Sequence, residues 1–547
     1  MGGLLTAAWR AVVAVSLALR RPFSGRVAWP RLAGLALTGG FVAMLLALWN
    51  PVFRFTGLLH LDAAREATML PALRGQPIAL SPSGGYDGQY YAQVACDPTL
   101  RTLELRTAID ALPYRAQRIL VPAVAWVLGG GRPGMVVQVY SVLNVACWLV
   151  LAVLLWRLLG ADQWRGLAAW AGVMFSAGAL ASVGYSLTDL PALLLFVAAM
   201  LAVERSRPRS ALAWFAASLL ARETMLVGGW GLLPKAWESP SRLWRAGAKL
   251  GLAVLPLALW LLYIRWQVGA SGPGARNFAW PGLGLIEEWG EELAHVRTEP
   301  NHWLAYSSLL ATAGLTLQVV FMVIHFRPAD RWWRAGFGYV LLMLVLGTAV
   351  WEGFSGAALR VLLPLLLVCN VLVLRSHRSS WWLLAINLSL VSGIVDMRQA
   401  PQLDYRELAA ARREDSAAVL RLGGGCYGLE KAGRVRWTWT AQEAGLELQM
   451  WAGREPVEVE LTLGLSAVAR RNLVILAGGN ELWRGEVGLK SARVILPPIR
   501  LQGGRLQLQL LADAPGVREP SGADRRALSV CVANPRLRVL PRAAAPQ

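Results

Sequence analysis

The chain reads as a polytopic α-helical membrane protein of about 11 spans that ends in an extracytoplasmic β-sandwich domain. Three observations predict this. Apolar residues make up 55% of the 547 residues and charged residues only 16%, with a mean hydropathy of +0.43. That is too little charge to clothe an aqueous surface of this size. Apolar runs of spanning or near-spanning length recur between residues 32 and 396, with arginines between them. From Gly423 the texture changes to period-two alternation.

Residues 1–31 carry Arg10, Arg20, Arg21, Arg26 and Arg31 and no acid. The first apolar run is followed by more arginines rather than a small-residue cleavage site, so a cleaved signal peptide is not expected. Residues 4–19 read as a helix on the cytoplasmic surface. Spans are expected at 32–49, 135–156, 166–187, 190–203, 211–221, 224–234, 250–268, 303–326, 335–351, 359–374 and 380–396. Two of them, 211–221 and 224–234, are too short to cross alone and meet at Arg222-Glu223. A polar break at membrane depth is tolerated only against protein or a water-filled cavity. Residues 118–131 are apolar but short, and read as a membrane-dipping helix.

Arginine asymmetry orients these spans. With the N-terminus inside, alternate connections hold Arg157 and Arg165; Arg205, Arg207 and Arg209; Lys235, Arg242, Arg245 and Lys249; Arg327, Arg331 and Arg334; Arg375 and Arg378. All fall on one side. Two long loops, 50–134 and 270–302, then lie outside with the C-terminus. The net charge of +20 belongs to these short clusters, which excludes a continuous nucleic-acid-binding face.

Residues 397–422 read as a polar, helix-prone connector containing ELAAARRED. Beyond it, VRWTWTA, LELQMWA, VEVELTL, NLVILAG, ARVILPP, RLQLQLLA and ALSVCVA predict a sandwich of about seven or eight strands. Trp437, Trp439 and Trp451 in these runs are either its core or a stacking surface for a glycan. The five cysteines match no zinc spacing. Cys426 and Cys531 bracket the domain, and are either bridged or two free thiols.

The chemistry concentrates in the first outer loop, at GGYDGQYY (84–91). Glycines around one acid let the backbone turn sharply and approach a ligand, and a carboxylate there can act as general base on a hydroxyl. Asp87 is that acid; Tyr86, Gln89 and Tyr90 are the substrate-contact candidates. The competing reading makes Asp87 the cap of a helix starting at Gly88. Downstream, DALPYRAQRILVP (110–122) places Arg115 and Arg118 three apart on one helical face, suited to a phosphate or to snorkelling at the interface. Arg222, Glu223 and Arg360 are ionisable residues at membrane level and invite a functional account; Arg360 has Glu352 as an alternative partner. Asp189 reads as a helix cap, Asp97 as a turn former, and Asp62 as a fallback acid. The run IEEWGEEL (286–293), near His295 and His302, reads as a solvated helix face in preference to a metal box.

An acid in a YDGQYY motif, a following YRAQRIL segment, an Arg-Glu pair between two short helices and many spans together resemble the GT-C superfamily, over roughly residues 30–400. These are membrane glycosyltransferases that use polyprenyl-phosphate-linked sugars, among them bacterial enzymes that build cell-surface glycopolymers. The resemblance implies an inner-membrane enzyme in which Asp87 is the catalytic base; in-line attack by the acceptor hydroxyl would invert the anomeric centre, and some of Arg115, Arg118, Arg222 and Arg360 would hold the donor phosphate. Its partners would be a polyprenyl-phosphate-sugar donor, an extracytoplasmic glycan or lipid acceptor and membrane lipids. Many members carry two adjacent acids where this chain has one, so a divalent metal is left open. Two other classes compete: a lipid or glycan transporter, which predicts repeated halves, and a non-catalytic subunit of an envelope assembly.

Overall fold

The computed structural model describes residues 29–50, 52–81, 84–234, 240–269, 275–299, 302–352, 357–376, 380–398, 407–413, 416–432, 435–451, 457–501, 504–518 and 526–540. The surface helix expected over 4–19 lies outside them. The chain divides into two units: residues 1–47, 58–71 and 84–401 form one, and residues 48–57, 72–83 and 402–547 the other.

The first unit is helical. α1 (Trp29–Ala47) is followed by α2 (Gly88–Cys96), α3 (Leu120–Leu128), α4 (Pro133–Leu159), α5 (Trp164–Met174), α6 (Ala177–Gly184), α7 (Asp189–Glu204) and α8 (Pro208–Ala221). Then come α9 (Pro240–Gln267), α10 (Leu283–Thr298), α11 (His302–Ile324), α12 (Arg331–Val345), α13 (Leu363–Arg375) and α14 (Ser389–Arg398). Among the described residues, four helices are long and apolar enough to cross a membrane: α1, α4, the Trp244–Gln267 part of α9, and α11; the α5–α6 pair, bent by 46°, makes up to five. The chain is an integral membrane protein, but helix length alone does not give eleven spans.

The shortfall has local causes. The expected 380–396 span is broken between Trp381–Ile386 and α14, where Asn387 and Asn370 exchange two amide hydrogen bonds of 2.9 Å in the interior. The expected 224–234 span is a 3₁₀ segment, Glu223–Leu232, shaped by Gly228, Gly229 and Gly231. A Cβ on Gly231 would lie 2.8 Å from the Arg331 carbonyl, and one on Gly338 would lie 2.1 Å from the Val227 carbonyl. Glycine therefore lets this segment lie directly on α12. The α3 helix has nine residues, too short to cross.

The second unit is β-rich. Its strands are β1 (Glu407–Arg413), β2 (Ser416–Leu422), β3 (Glu430–Ala432), β4 (Val435–Trp439), β5 (Glu443–Trp451), β6 (Val457–Ala467), β7 (Arg471–Ala477), β8 (Asn480–Val487), β9 (Ala492–Ile495), β10 (Ile499–Leu501), β11 (Gly504–Ala512) and β12 (Val530–Val539). They form two six-stranded sheets, β8-β7-β11-β5-β2-β1 and β9-β6-β12-β4-β3, with β10 pairing β6 in the second. Alternate residues of both sheets share one core: Leu446, Leu448 and Met450 of β5 and Leu508 and Leu510 of β11 on one side, Val459, Leu461, Leu463 and Leu465 of β6 on the other. That alternation is the period-two pattern of the sequence expressed as burial. Near Asn534, φ +44°, the β12–β6 register shifts between Ala533 and Arg536. Pro535 has no N–H to give, and the bulge accommodates it.

The helix-prone connector expected over 397–422 is corrected: β1 and β2 occupy 407–413 and 416–422. Every residue of β2 is buried. Ala418, Leu420 and Leu422 face the inter-sheet core, while Ala417 and Val419 join a second cluster with Val52, Phe53, Ala79 and Trp451. A strand buried on both faces shows no alternation. Trp451 is core, with its ring edge-on to Phe53 at 5.7 Å, whereas Trp437 and Trp439 are half-buried. Cys426 and Cys531 are free thiols, so the bridge weighed between them is not formed.

Candidate functional site

Asp87 occupies the residue before α2, yet its side chain makes no capping hydrogen bond. The carboxylate turns instead toward two guanidinium groups. Its Oδ1 lies 2.9 Å from Arg115 Nη1 and its Oδ2 lies 4.0 Å from Arg360 Nη1. Gly88 permits this placement, because a Cβ there would sit 2.1 Å from the Tyr185 carbonyl.

From Asp87 the charges continue inward. Arg360 Nη1 is 3.7 Å from Asp189 Oδ2, and Asp189 Oδ1 is 2.5 Å from Arg222 Nη1. Asp189 is 1% exposed, against 25% for the Asp87 side chain, so Asp87 is the more accessible of the two acids. Asp189 stands in the first turn of α7 and forms no cap; Thr188 holds the cap position. Its partners are the two arginines, which corrects the capping expectation.

Arg115 and Arg118 have their donors committed. Arg115 gives Nε and Nη2 to Asp110 at 3.1 and 2.9 Å, leaving Nη1 for Asp87. Arg118 grips both oxygens of Glu223 at 3.1 and 2.8 Å, and donates to the hydroxyls of Tyr91 and, at 2.9 Å, Tyr114. Arg222 and Arg360 are less committed. Arg222 Nε is buried without a hydrogen-bond partner, as are the hydroxyls of Thr188, Thr224 and Tyr140, while the Asp189 carboxylate is held by its ion pairs with Arg222 and Arg360. Arg360 donates to the Tyr86 hydroxyl at 3.1 Å, and its contacts to Asp87 and Asp189 are long. Buried polar groups left unpaired in a native fold call for a ligand or water.

Around this chain of charges sits an aromatic wall. The Tyr86 ring stacks on Tyr185 at 4.3 Å, and the His60 ring packs against Tyr185 at 4.5 Å. Burial raises the Tyr86 phenol above its ordinary range even against the pull of Arg360, so it stays a neutral hydroxyl. Burial likewise lowers His60 to about 4. For Asp110, burial acts upward, but the hydrogen bonds and charge of Arg115 outweigh it and hold the carboxyl below the usual range. The guanidinium groups of Arg65 and Arg115 stand over the Tyr90 ring, 5.4 and 5.0 Å from its centre. His60 and Ser186 hold left-handed φ of 47° and 49°, a local strain that tends to collect at working sites.

The other candidates serve the scaffold. Gln89 is buried, and its Oε1 accepts from the Asp62 backbone at 3.1 Å. Asp62 caps a 3₁₀ turn through Ala64 N. Asp97 accepts from the backbone of Thr99, Arg101 and Thr102, the turn role expected of it. Glu352 pairs with Arg276 at the surface, not with Arg360. Gln93 went unnoticed in the sequence, yet its side chain ties Leu70 N to the Ala108 carbonyl; polar residues one helical turn after a motif are the only signal it gave.

A divalent metal does not fit these residues. Among the described residues no three His, Cys, Asp or Glu side chains gather to hold one, and guanidinium groups already flank Asp87. The IEEWGEEL helix departs from a uniformly solvated face: Glu288 and Glu292 are buried in α10, Glu292 accepting from Ser308.

No family model matches the chain, and no curated protein matches it. One solved structure that it resembles is the cryo-EM structure of the arabinosyltransferase EmbB from Mycobacterium smegmatis, at 12% identity, covering 98% of this chain and 68% of that one with a TM-score of 0.22. A likeness that low carries no argument about fold or function.

Proposed function

We propose that the protein is a GT-C-like membrane glycosyltransferase that moves a sugar from a polyprenyl-phosphate-linked donor to an extracytoplasmic glycan or lipid acceptor. The observation that carries this is the state of Asp87: uncapped, partly exposed, with Oδ1 held by Arg115 and Oδ2 only loosely approached by Arg360. In this reading the loop around Asp87 and the β-rich unit both lie outside the cytoplasm, where no nucleotide sugar is at hand and a lipid-linked donor is needed.

Asp87 Oδ2 takes the proton of the acceptor hydroxyl. The acceptor oxygen bonds to the anomeric carbon as the bond from that carbon to the phosphate oxygen breaks, inverting the centre. The polyprenyl phosphate leaves with the electron pair, and its growing charge is met by Arg360 and Arg222, the two guanidinium groups with donors to spare. Arg115 and Arg118 position the site through Asp87, Asp110 and Glu223, while Tyr86 and Tyr90 offer faces to the sugar. A transporter reading predicts paired broken helices in corresponding halves, and no observation favours it here.

The test is transfer of labelled sugar from polyprenyl-phosphate donors by membranes holding equal amounts of wild type and Asp87→Asn. The expected loss is about 10²-fold or more. Equal turnover removes Asp87 from catalysis.

A further inference from the structure

A second site lies away from Asp87, at the ends of helices that the arginine asymmetry places on the cytoplasmic face. There a cavity of about 580 Å³ is framed by the close of α7, the start of α8, the tail of the 3₁₀ segment, the start of α9 and the first residue of α12. Three of its lining residues are cations, Arg245, Lys249 and Arg331, and among the described residues no acid lines it. Among the described residues none of the three pairs with a carboxylate; Arg245 donates only to the Ser241 carbonyl of its own helix. The neighbouring Arg334 is different. It is buried and spends its guanidinium on the carbonyls of Trp230, Pro328, Ala329 and Leu233. It thus stitches the 3₁₀ tail to α12 and shapes the cavity wall at Leu233. One arginine builds the cavity and three cations face it unspent.

The rest of the lining is apolar, including Val203, Leu212, Leu232 and Leu250. Beyond Leu250 that apolar surface continues along α9. Leu252, Leu255, Leu259 and Leu262 are exposed at 65%, 46%, 57% and 63%, and only 17% of the apolar stretch of this helix is buried. Trp244 and Trp266 stand exposed at its two ends. Their separation along the helix is roughly 33 Å, about the thickness of the hydrocarbon core, and Trp favours its two borders. These two residues therefore fix the membrane level of α9: Arg245 and Lys249 sit at the headgroup border beside Trp244, and the leucines face acyl chains.

We propose that this cavity binds the phosphate-bearing headgroup of an anionic membrane lipid, its acyl chains lying along the leucine face of α9. A soluble phosphate would use the cations but not the apolar continuation; a zwitterionic lipid would use the chains but bring its own cation toward Arg245, Lys249 and Arg331. Unpaired guanidinium and ammonium groups between helices at the border of a bilayer suit an anionic headgroup. The inference stands apart from sugar transfer and needs neither Asp87 nor a donor.

Purified full-length protein in detergent is incubated with phosphatidylglycerol, with phosphatidylcholine of the same chains, or with sn-glycerol 3-phosphate, and retained adducts are read by native mass spectrometry. Wild type is compared with the triple variant Arg245→Gln, Lys249→Gln, Arg331→Gln. A second triple, Arg493→Gln, Arg500→Gln, Arg538→Gln, removes the same charge from exposed positions of the β-rich unit. Thermal unfolding without lipid checks that the variants fold. The expected result is phosphatidylglycerol retention that falls at least about tenfold in the cavity variant and is unchanged in the second triple, with phosphatidylcholine weakly held throughout. Equal retention by wild type and cavity variant overturns the proposal, as does equal retention of the two lipids. Binding of glycerol phosphate at the same concentration as phosphatidylglycerol overturns the assignment to a lipid.

Discussion

Arg118 and Arg360 are both guanidinium groups beside carboxylates, yet they are in different conditions. Arg118 holds Glu223 with two parallel hydrogen bonds and two tyrosine hydroxyls besides, so a phosphate would have to displace a carboxylate to reach it. Arg360 holds one hydroxyl and two distant acids. The expectation is therefore a split between two substitutions. Arg360→Gln lowers turnover of the lipid-linked donor by roughly 10²–10³ with little loss of fold, because Arg222 still balances Asp189. Arg118→Gln leaves Glu223 without its partner and costs about 3–5 kcal/mol of stability, read as a lower midpoint of thermal unfolding in detergent. If both variants fold normally and lose turnover equally, the two arginines share one role and the division is wrong. His60 supplies a pH signature at the same scale. Burial brings it to about 4, below the value near 6.5 that it has in an unfolded chain. Between those values the unfolded chain binds the extra proton, so stability is full above about pH 6.5 and declines as pH falls toward 4. His60→Phe keeps a ring against Tyr185 and removes the proton site, so the difference between the two proteins should open across that window and level off below it.

At the scale of elements, α10 shows a helix whose charged pattern conceals a buried pair. Burial, reinforced by the Glu292 carboxylate, raises Glu288 to about 8. Its proton is then held in the folded state, and that contribution to stability is lost as pH rises from about 4.5 through 8. Glu288→Gln keeps the neutral form at every pH. It should match wild type near pH 5 and unfold at a higher temperature than wild type at pH 8; a constant difference across pH would show that the Glu288 proton is not the cause. The same helix shows what sequence patterning conveys. Long apolar runs announced α1, α4, α9 and α11, because lipid-facing helices carry their environment in composition. GGYDGQYY announced the turn before α2, because only glycine can meet the Tyr185 backbone at Gly88. Pairings across 105 and 274 residues, Arg118 with Glu223 and Arg360 with Tyr86, leave no periodic trace. IEEWGEEL looked solvated because the count of acids says nothing of which face packs on α11. β2 looked helical because alanines and arginines favour helices locally, while burial on both faces erased the alternation that marks a strand.

For the molecule as a whole, the division of the chain does not follow its order. The β-rich unit is made of residues 402–547 together with 48–57 and 72–83, two pieces of the first long loop. Val52, Phe53 and Ala79 from those pieces cover Ala417, Val419 and Trp451, and the Thr56 hydroxyl accepts from Ala79 N. Phe53 is 3% exposed and T-stacked on Trp451. Sequence order would cut this unit at the end of the helices and express 402–547 alone. Such a fragment bares the outer face of β2, a strand whose seven residues are all buried in the complete chain, beside an uncovered tryptophan. Exposed apolar strand faces of this kind recruit other chains. The fragment is therefore expected to associate and to bind a hydrophobic dye, and a fusion that adds 48–57 and 72–83 through a flexible linker should run as a monomer with the dye released. Within the full chain, Phe53→Ala removes the same cover and should destabilise the β-rich unit by about 3 kcal/mol or more, seen as earlier protease cutting between its strands. A monomeric, dye-free 402–547 fragment would mean that β2 closes over its own outer face, and that the loop pieces add nothing to the stability of the sheets they cover.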